Sequence, residues 1–340
     1  MAVPYNLETM LAKALSDFNA GHFDEAAANC QNLLRLDPSN PATCQLLALV
    51  SLQAGDIQAA GKYIRTSLAS RPDHIASLII AGRIARAAND LASAAGYFER
   101  ASVLDPGMAE AVFLFGMTLL DLDHPAAIAT LRYLVEQHPQ HAAGWCCLGL
   151  ALNKKEETAH ALEAFEHAIV VEPNMAKAHF HRANILQAQG RLDDAIAAFQ
   201  TARQIEPMAM EICFNLGLTL RKTGKLEASR EELEATTKLA PTFAEGWFNL
   251  GLVRQDLRRF NESISAFRTA LSCQPDYAEA AVNLGIVLQE SGSIEGAIEA
   301  YRIAMRLRPE TFGRIAQAIT GARTGRLWLD LEGLRHHLTA

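Results

Sequence analysis

Residues 244–277 read AEGWFNLGLVRQDLRRFNESISAFRTALSCQPDY, and this stretch decides the fold. From Trp247 to Asp256 apolar residues recur at helical spacing, and a polar break follows from Leu257 to Glu262. A second helical pattern runs from Ser263 to Ser272, and Pro275 stops it, because proline lacks the amide hydrogen and clashes with the preceding turn. The unit is one complete helix-turn-helix.

The rest of the chain is this unit written again. Pro38, Pro72, Pro106, Pro139, Pro173, Pro207, Pro241, Pro275 and Pro309 recur at one fixed interval, shortened by a single position only between Pro106 and Pro139. Nine evenly spaced stops mark nine helix ends in register. The eighth position of each unit is small (Ala14, Ala48, Gly82, Gly116, Gly149, Ala183, Gly217, Gly251, Gly285), and so is the twentieth, from Ala26 to Ala297. Small residues belong where two helices of a hairpin cross closely, since a larger side chain overpacks such a contact by about 1–3 kcal/mol.

The placement of Trp247, Leu250, Gly251, Ser263, Phe267 and Pro275 resembles the tetratricopeptide-repeat (TPR) family, over residues 7 to 311. The resemblance implies an all-α fold, a right-handed α-superhelix of nine repeats: 7–40, 41–74, 75–108, 109–141, 142–175, 176–209, 210–243, 244–277 and 278–311. A C-terminal cap occupies 312–340, and the whole of 1–340 is expected to form one solenoid. In the cap, Phe312–Arg323 reads as a further first helix. Leu327, Leu331, Leu334 and Leu338 then form a helical stripe beside Trp328.

Two units depart from the pattern. The first is a degenerate opener, with Met10 and Lys13 in place of the usual Trp and Leu, as terminal repeats commonly are. Its Tyr5, Leu7, Met10 and Leu11 are candidates for self-association. The fourth carries the single deletion; Pro125 is expected at the start of its second helix, with a tightened turn before it.

Composition narrows the function. The formal net charge of −7 argues against nucleic acid as the main partner, because phosphate binding needs a basic surface. The six cysteines show no CxxC pair, which reads as reduced thiols in a cytoplasmic protein and fits a bacterial one. No apolar run reaches the length that predicts a membrane span. No phosphate loop, nucleophile elbow or HExxH occurs. The stretch beyond the ninth unit, 312–340, leaves no room for an enzymatic domain such as TPR-bearing glycosyltransferases carry, so no catalysis and no cofactor are expected. His160, Glu163 and His167 share a helix face, but the resemblance puts them on the wet convex side.

In TPR proteins the first helix of each hairpin lines the concave surface. By that resemblance the sixth position places His181, Asn215, Asn249 and Asn283 in the groove, and the fifth places Phe180, Phe214 and Phe248 there; Asn184 sits at the ninth. An asparagine ladder offers a donor and an acceptor at each rung, suited to an extended peptide backbone, and is similar to that of O-GlcNAc transferase. The alternative for these amides is a bond to a neighbouring turn, and for the rings, packing between helices. A carboxylate clamp for chaperone tails is absent: the matching frame reads Phe180, Asn184, Asn215, Glu245 and Asn249. Groove charges (Arg83, Arg86, Lys154, Lys177, Arg221, Lys222; then Glu211, Glu245, Asp256, Glu279, Glu290) suggest an acidic C-terminal half that steers a basic partner, or scattered surface charge. The expected function is therefore a non-catalytic scaffold that binds a polypeptide. The alternatives are a self-associating scaffold and a subunit that delivers substrate to a separate enzyme such as a glycosyltransferase.

Overall fold

The computed structural model describes residues 7–320 and 331–339. Among them the chain is all-α, a succession of antiparallel helix pairs. The chain divides into two compact units, residues 1–173 and 174–340, with the division at the end of the fifth repeat.

In the first unit the pairs are α1 (Leu7–Asn19) with α2 (Phe23–Leu36), α3 (Pro41–Gln53) with α4 (Ile57–Ser70), and α5 (Ile75–Ala87) with α6 (Leu91–Leu104). Then follow α7 (Ala109–Asp121) with α8 (Ala127–Gln137) and α9 (Ala142–Lys154) with α10 (Thr158–Val171). The second unit holds α11 (Ala176–Ala188) with α12 (Leu192–Ile205), α13 (Met210–Lys222) with α14 (Leu226–Leu239), and α15 (Ala244–Asp256) with α16 (Phe260–Cys273). It ends with α17 (Ala278–Glu290) paired with α18 (Ile294–Leu307), then α19 (Phe312–Thr320) and α20 (Leu331–Thr339).

Three local devices build each pair. The turn between the helices puts position 15 in the left-handed region: Gly21, Gly55, Gly190, Gly224 and Gly292 in five repeats, but Asn89, Asp123, Glu156 and Arg258 in the other four. Because this residue closes the turn quickly, α16 starts at Phe260, ahead of the Ser263 that the apolar pattern suggested, and Phe260 packs against the core. Several first turns are capped: Asn40 Oδ1 accepts from Thr43 N at 3.0 Å, and Asp56 Oδ1 from Ala59 N at 2.9 Å. His141 Nδ1 accepts from Gly144 N at 2.9 Å in the same way.

The third device is the crossing. A Cβ on Gly251 would stand 2.7 Å from Phe267 Cε1, and on Gly149 2.8 Å from Phe165 Cε1. Phe98, Phe165, Phe199 and Phe267, all at position 24, are fully buried, and Tyr301 nearly so. Where the small residue at position 20 is serine, its hydroxyl locks the crossing: Ser229 Oγ donates to Gly217 O and Ser263 Oγ to Gly251 O, each at 2.7 Å. Position 4 adds a tie between repeats, since Trp145 Nε1 donates to Pro139 O (2.9 Å) and Trp247 Nε1 to Pro241 O (2.8 Å).

The fourth repeat corrects the expectation made for it. The connection between α7 and α8 runs over 122–126 and is longer than the 54–56 connection of the second repeat, and α8 begins at Ala127, after Pro125. The deletion removes the first turn of the second helix and leaves the turn intact; proline, without an amide hydrogen, sits ahead of the helix. At the C-terminus, Leu334 and Leu338 are buried with Ile315, Leu288, Tyr301 and Met305, so α19 and α20 cover the last pair. Leu327, Trp328, Tyr5 and the side chain of Leu331 lie outside the described residues.

Candidate peptide-binding face

In the second unit, α11, α13, α15 and α17 stand side by side, so each repeat position becomes a row running from helix to helix. Position 6 is the row of His181, Asn215, Asn249 and Asn283. Each asparagine Nδ2 donates to the carbonyl one helical turn back: Asn215 to Glu211 O (2.8 Å), Asn249 to Glu245 O (2.9 Å), Asn283 to Glu279 O (2.7 Å). Asn249 and Asn283 are 9% and 7% exposed. The expectation that Asn249 is a surface amide is thus corrected: only a small part of it reaches solvent, and one of its donors is spent inside its own helix. The same bond fixes the orientation of each amide.

The phenylalanines of position 5 are half-buried and engaged. Phe214 meets Phe243 edge-on at 5.0 Å; Phe248 lies 4.9 Å from Tyr277 and 5.8 Å from Phe267; Phe180 lies 5.8 Å from Phe199. Their first role is therefore packing within the repeat, worth about 0.5–1.5 kcal/mol per aromatic pair beyond burial. His181 touches the Phe180 ring at 5.2 Å. Burial, and secondarily Lys177, lowers its pKa and favours the neutral imidazole. Asn184 is half-buried on the same face. One helical turn further along, Leu218, Leu252 and Ile286 of position 9 form a partly exposed aliphatic row.

Most charges that the sequence offered for partner steering are paired within the protein. Arg221 Nε donates to Asp256 Oδ2 at 2.8 Å, and Gln255 Nε2 to Glu290 Oε2 at 2.9 Å; Gln187 Nε2 donates to Thr219 Oγ1 at 2.6 Å. In the first unit Arg86 bonds Asp121 (2.7 Å) and Thr118 (2.9 Å), Arg83 bonds Glu110 (2.5 Å), and Lys154 lies 3.7 Å from Asp123. Position 12 thus reaches positions 10 or 13 of the next repeat, a lacing missed in the sequence because its partners belong to different repeats. Each such exposed link is worth at most about 1 kcal/mol. Together they neutralise the edge of the face.

Among the described residues no group of three His, Cys, Asp or Glu side chains is placed to hold a metal ion. His167 stacks on Trp145 at 4.4 Å, and His160 lies 3.3 Å from Glu157. No described helix is long and apolar enough to cross a membrane.

Helix pairs recurring at a fixed period, with a small residue crossing a large one in each pair, define a repeat protein. Tetratricopeptide-repeat family models match residues 18–79, 79–142, 176–209, 211–243 and 250–310, and the chain belongs to that family. The crystal structure of YrrB, described as a TPR protein with an unusual peptide-binding site, is 19% identical and covers 53% of this chain and 93% of its own, with a TM-score of 0.51. That likeness concerns the fold. A crystal structure of MamA is 16% identical, covers 55% of this chain and 98% of its own, and has a TM-score of 0.48. Protein FlbA of Caulobacter vibrioides is 24% identical over 187 residues, 55% of this chain. The match spans 31% of FlbA, about a third of that relative's length.

Proposed function

We propose that this chain is a non-catalytic adaptor that holds an extended polypeptide along the first-helix face of repeats six to nine. The observation that carries the reading is the row of asparagines that each spend one Nδ2 hydrogen inside their own helix, which fixes the amide and keeps its oxygen as an acceptor. An acceptor held in place by the fold loses little freedom on binding a backbone N–H, which favours recognition without side-chain specificity. Phe180, Phe214, Phe248, His181 and Asn184 form the walls beside that row. The free and largely buried thiols suit a reducing, cytoplasmic setting. Delivery of a bound polypeptide to a separate enzyme, such as a glycosyltransferase, would use the same face.

The test is a pull-down from native extract with the wild type and the triple variant Asn215→Ala, Asn249→Ala, Asn283→Ala, with circular dichroism on both. Loss of a bound protein at unchanged helicity supports the face; retention of every partner by a folded triple variant sinks it. Self-association is the second reading, favoured by the exposure of Leu7 (39%), Leu15 (48%) and Phe23 (39%) on the opening repeat. Light scattering over a concentration series separates the two, because an adaptor of this kind stays monomeric.

A further inference from the structure

On the same face, position 2 carries a row of three carboxylates, Glu211, Glu245 and Glu279, one repeat apart. They do not have the same surroundings. Glu279 is bound by the Arg308 guanidinium, which reaches it from just beyond the end of α18. The residues at the same offset from Glu211 and Glu245 are Ala240 and Gln274, neither of which carries a charge. Both carboxylates are exposed, while the flanking charges Arg221, Asp256 and Glu290 are engaged with neighbouring repeats.

Each of the two stands next to an aromatic pair that closes its repeat, Phe214 with Phe243 and Phe248 with Tyr277. The Tyr277 pKa is pushed up to about 12, first by burial and then by the negative charges of Glu245 and Glu279. The aliphatic row of Leu218, Leu252 and Ile286 runs alongside. The chain itself displays a ligand that suits this arrangement: in repeat nine a guanidinium sits on the carboxylate, and in repeats seven and eight the residue at that offset is uncharged.

We infer that Glu211 and Glu245 are a two-point receptor for basic side chains, and that the segment bound on this face is a basic one with an apolar residue between its charges. The inference rests on the reading of this face as the partner surface and adds the partner's chemistry. Neighbouring helices pack at about 8–10 Å, and a chain extended as polyproline II rises about 3.1 Å per residue with three residues per turn, so side chains three apart share a face at about 9 Å. The two basic residues therefore stand about three positions apart, each over a carboxylate, with an apolar side chain between them turned toward the aliphatic row, which lies two helical turns along from the carboxylates. A guanidinium suits the site best, because it pairs with a carboxylate through two parallel bonds and stacks on aromatic faces.

The experiment is fluorescence anisotropy with a short labelled peptide bearing two arginines three positions apart around a leucine. Its twin carries the neutral isostere citrulline in place of both arginines. Wild type should bind the arginine peptide at least tenfold more tightly. Glu211→Gln with Glu245→Gln should erase that preference at unchanged circular dichroism. Gln274→Arg should weaken the arginine peptide too, by supplying at Glu245 the internal cation that Arg308 supplies at Glu279. Leu252→Asn, which adds no charge, should weaken both peptides at unchanged circular dichroism. Equal affinity of wild type for the two peptides, indifference to the paired Glu→Gln change, or no binding of the arginine peptide at about 1 mM overturns the basic-segment inference. In the first two cases, loss of binding in folded Leu252→Asn keeps the face as the partner surface. Binding of both peptides unaffected by Leu252→Asn removes the face itself.

Discussion

Gly251→Ala is the change for which the structure makes the sharpest demand. In an open helix interior this substitution gains about 1 kcal/mol, because alanine loses less backbone freedom than glycine. At position 251 the new Cβ would stand 2.7 Å from Phe267 Cε1 and 2.8 Å from Cδ1. Carbon atoms rest at about 3.5–4.0 Å, so helix or ring must yield by about 1 Å. Neither is free to do so. Phe267 is fully buried, and Ser263 Oγ holds Gly251 O at 2.7 Å, which pins α15 to α16 at the crossing itself. Overpacking of a tight core costs about 1–3 kcal/mol, so after the helix-propensity gain of about 1 kcal/mol the net expectation is a loss of up to about 2 kcal/mol. Gly251→Leu should lose more. Gly96→Ala is the matched control: that glycine lies inside α6 with nothing within 4 Å of its would-be Cβ, and the change should stabilise. Repeat arrays need not unfold in one step, so the readout is urea unfolding followed by fluorescence of Trp247 in the same repeat, together with circular dichroism for the whole chain. If Gly251→Ala stabilises as Gly96→Ala does, the close approach of α15 and α16 is wrong. Rescue by Phe267→Leu would locate the clash.

Three further outcomes follow from the same structure. Glu156 and Arg258 have φ of 61° and 62° where five other repeats place glycine, so Glu156→Gly and Arg258→Gly should each raise the thermal midpoint, by the equivalent of about 0.5–1 kcal/mol; a lowered midpoint refutes the strain. His74, His141 and His181 all have pKa values lowered, chiefly by burial, so folding favours their neutral rings. That contribution is complete above the unfolded value near 6.5 and is lost as pH falls from there towards the folded values. Stability should decline from pH 7 to 5, and His141→Asn, which keeps a capping acceptor at α9, should flatten part of the decline. Burial raises the thiols of Cys30 (to about 12), Cys44 and Cys213, so an alkylating reagent at pH 8 should label them slowly in the native protein and at ordinary rates in urea; equal rates would contradict their burial.

The sequence by itself determined the helical hairpins. The period of Pro38 to Pro309, the small residues at positions 8 and 20 and the apolar spacing within Trp247–Asp256 are local signals, and local signals suffice because each repeat is one hairpin packed on its neighbours. Local spacing failed where backbone geometry intervened: Arg258 in the left-handed region ends its turn early and admits Phe260 to α16, and Pro125 falls outside α8. Which polar side chains remain available was decided only by the tertiary structure. Asn249 reads as a groove amide, yet it is buried and bonded to Glu245 O. Arg221 reads as a steering charge, yet it is paired with Asp256 of the next repeat. Glu279 and Glu245 are equivalent in the repeat, and only the presence of Arg308 in place of Gln274 distinguishes them. A side chain's hydrogen-bond partners depend on which repeat stands beside it, and one sequence period fixes the helix without fixing those neighbours' chemistry.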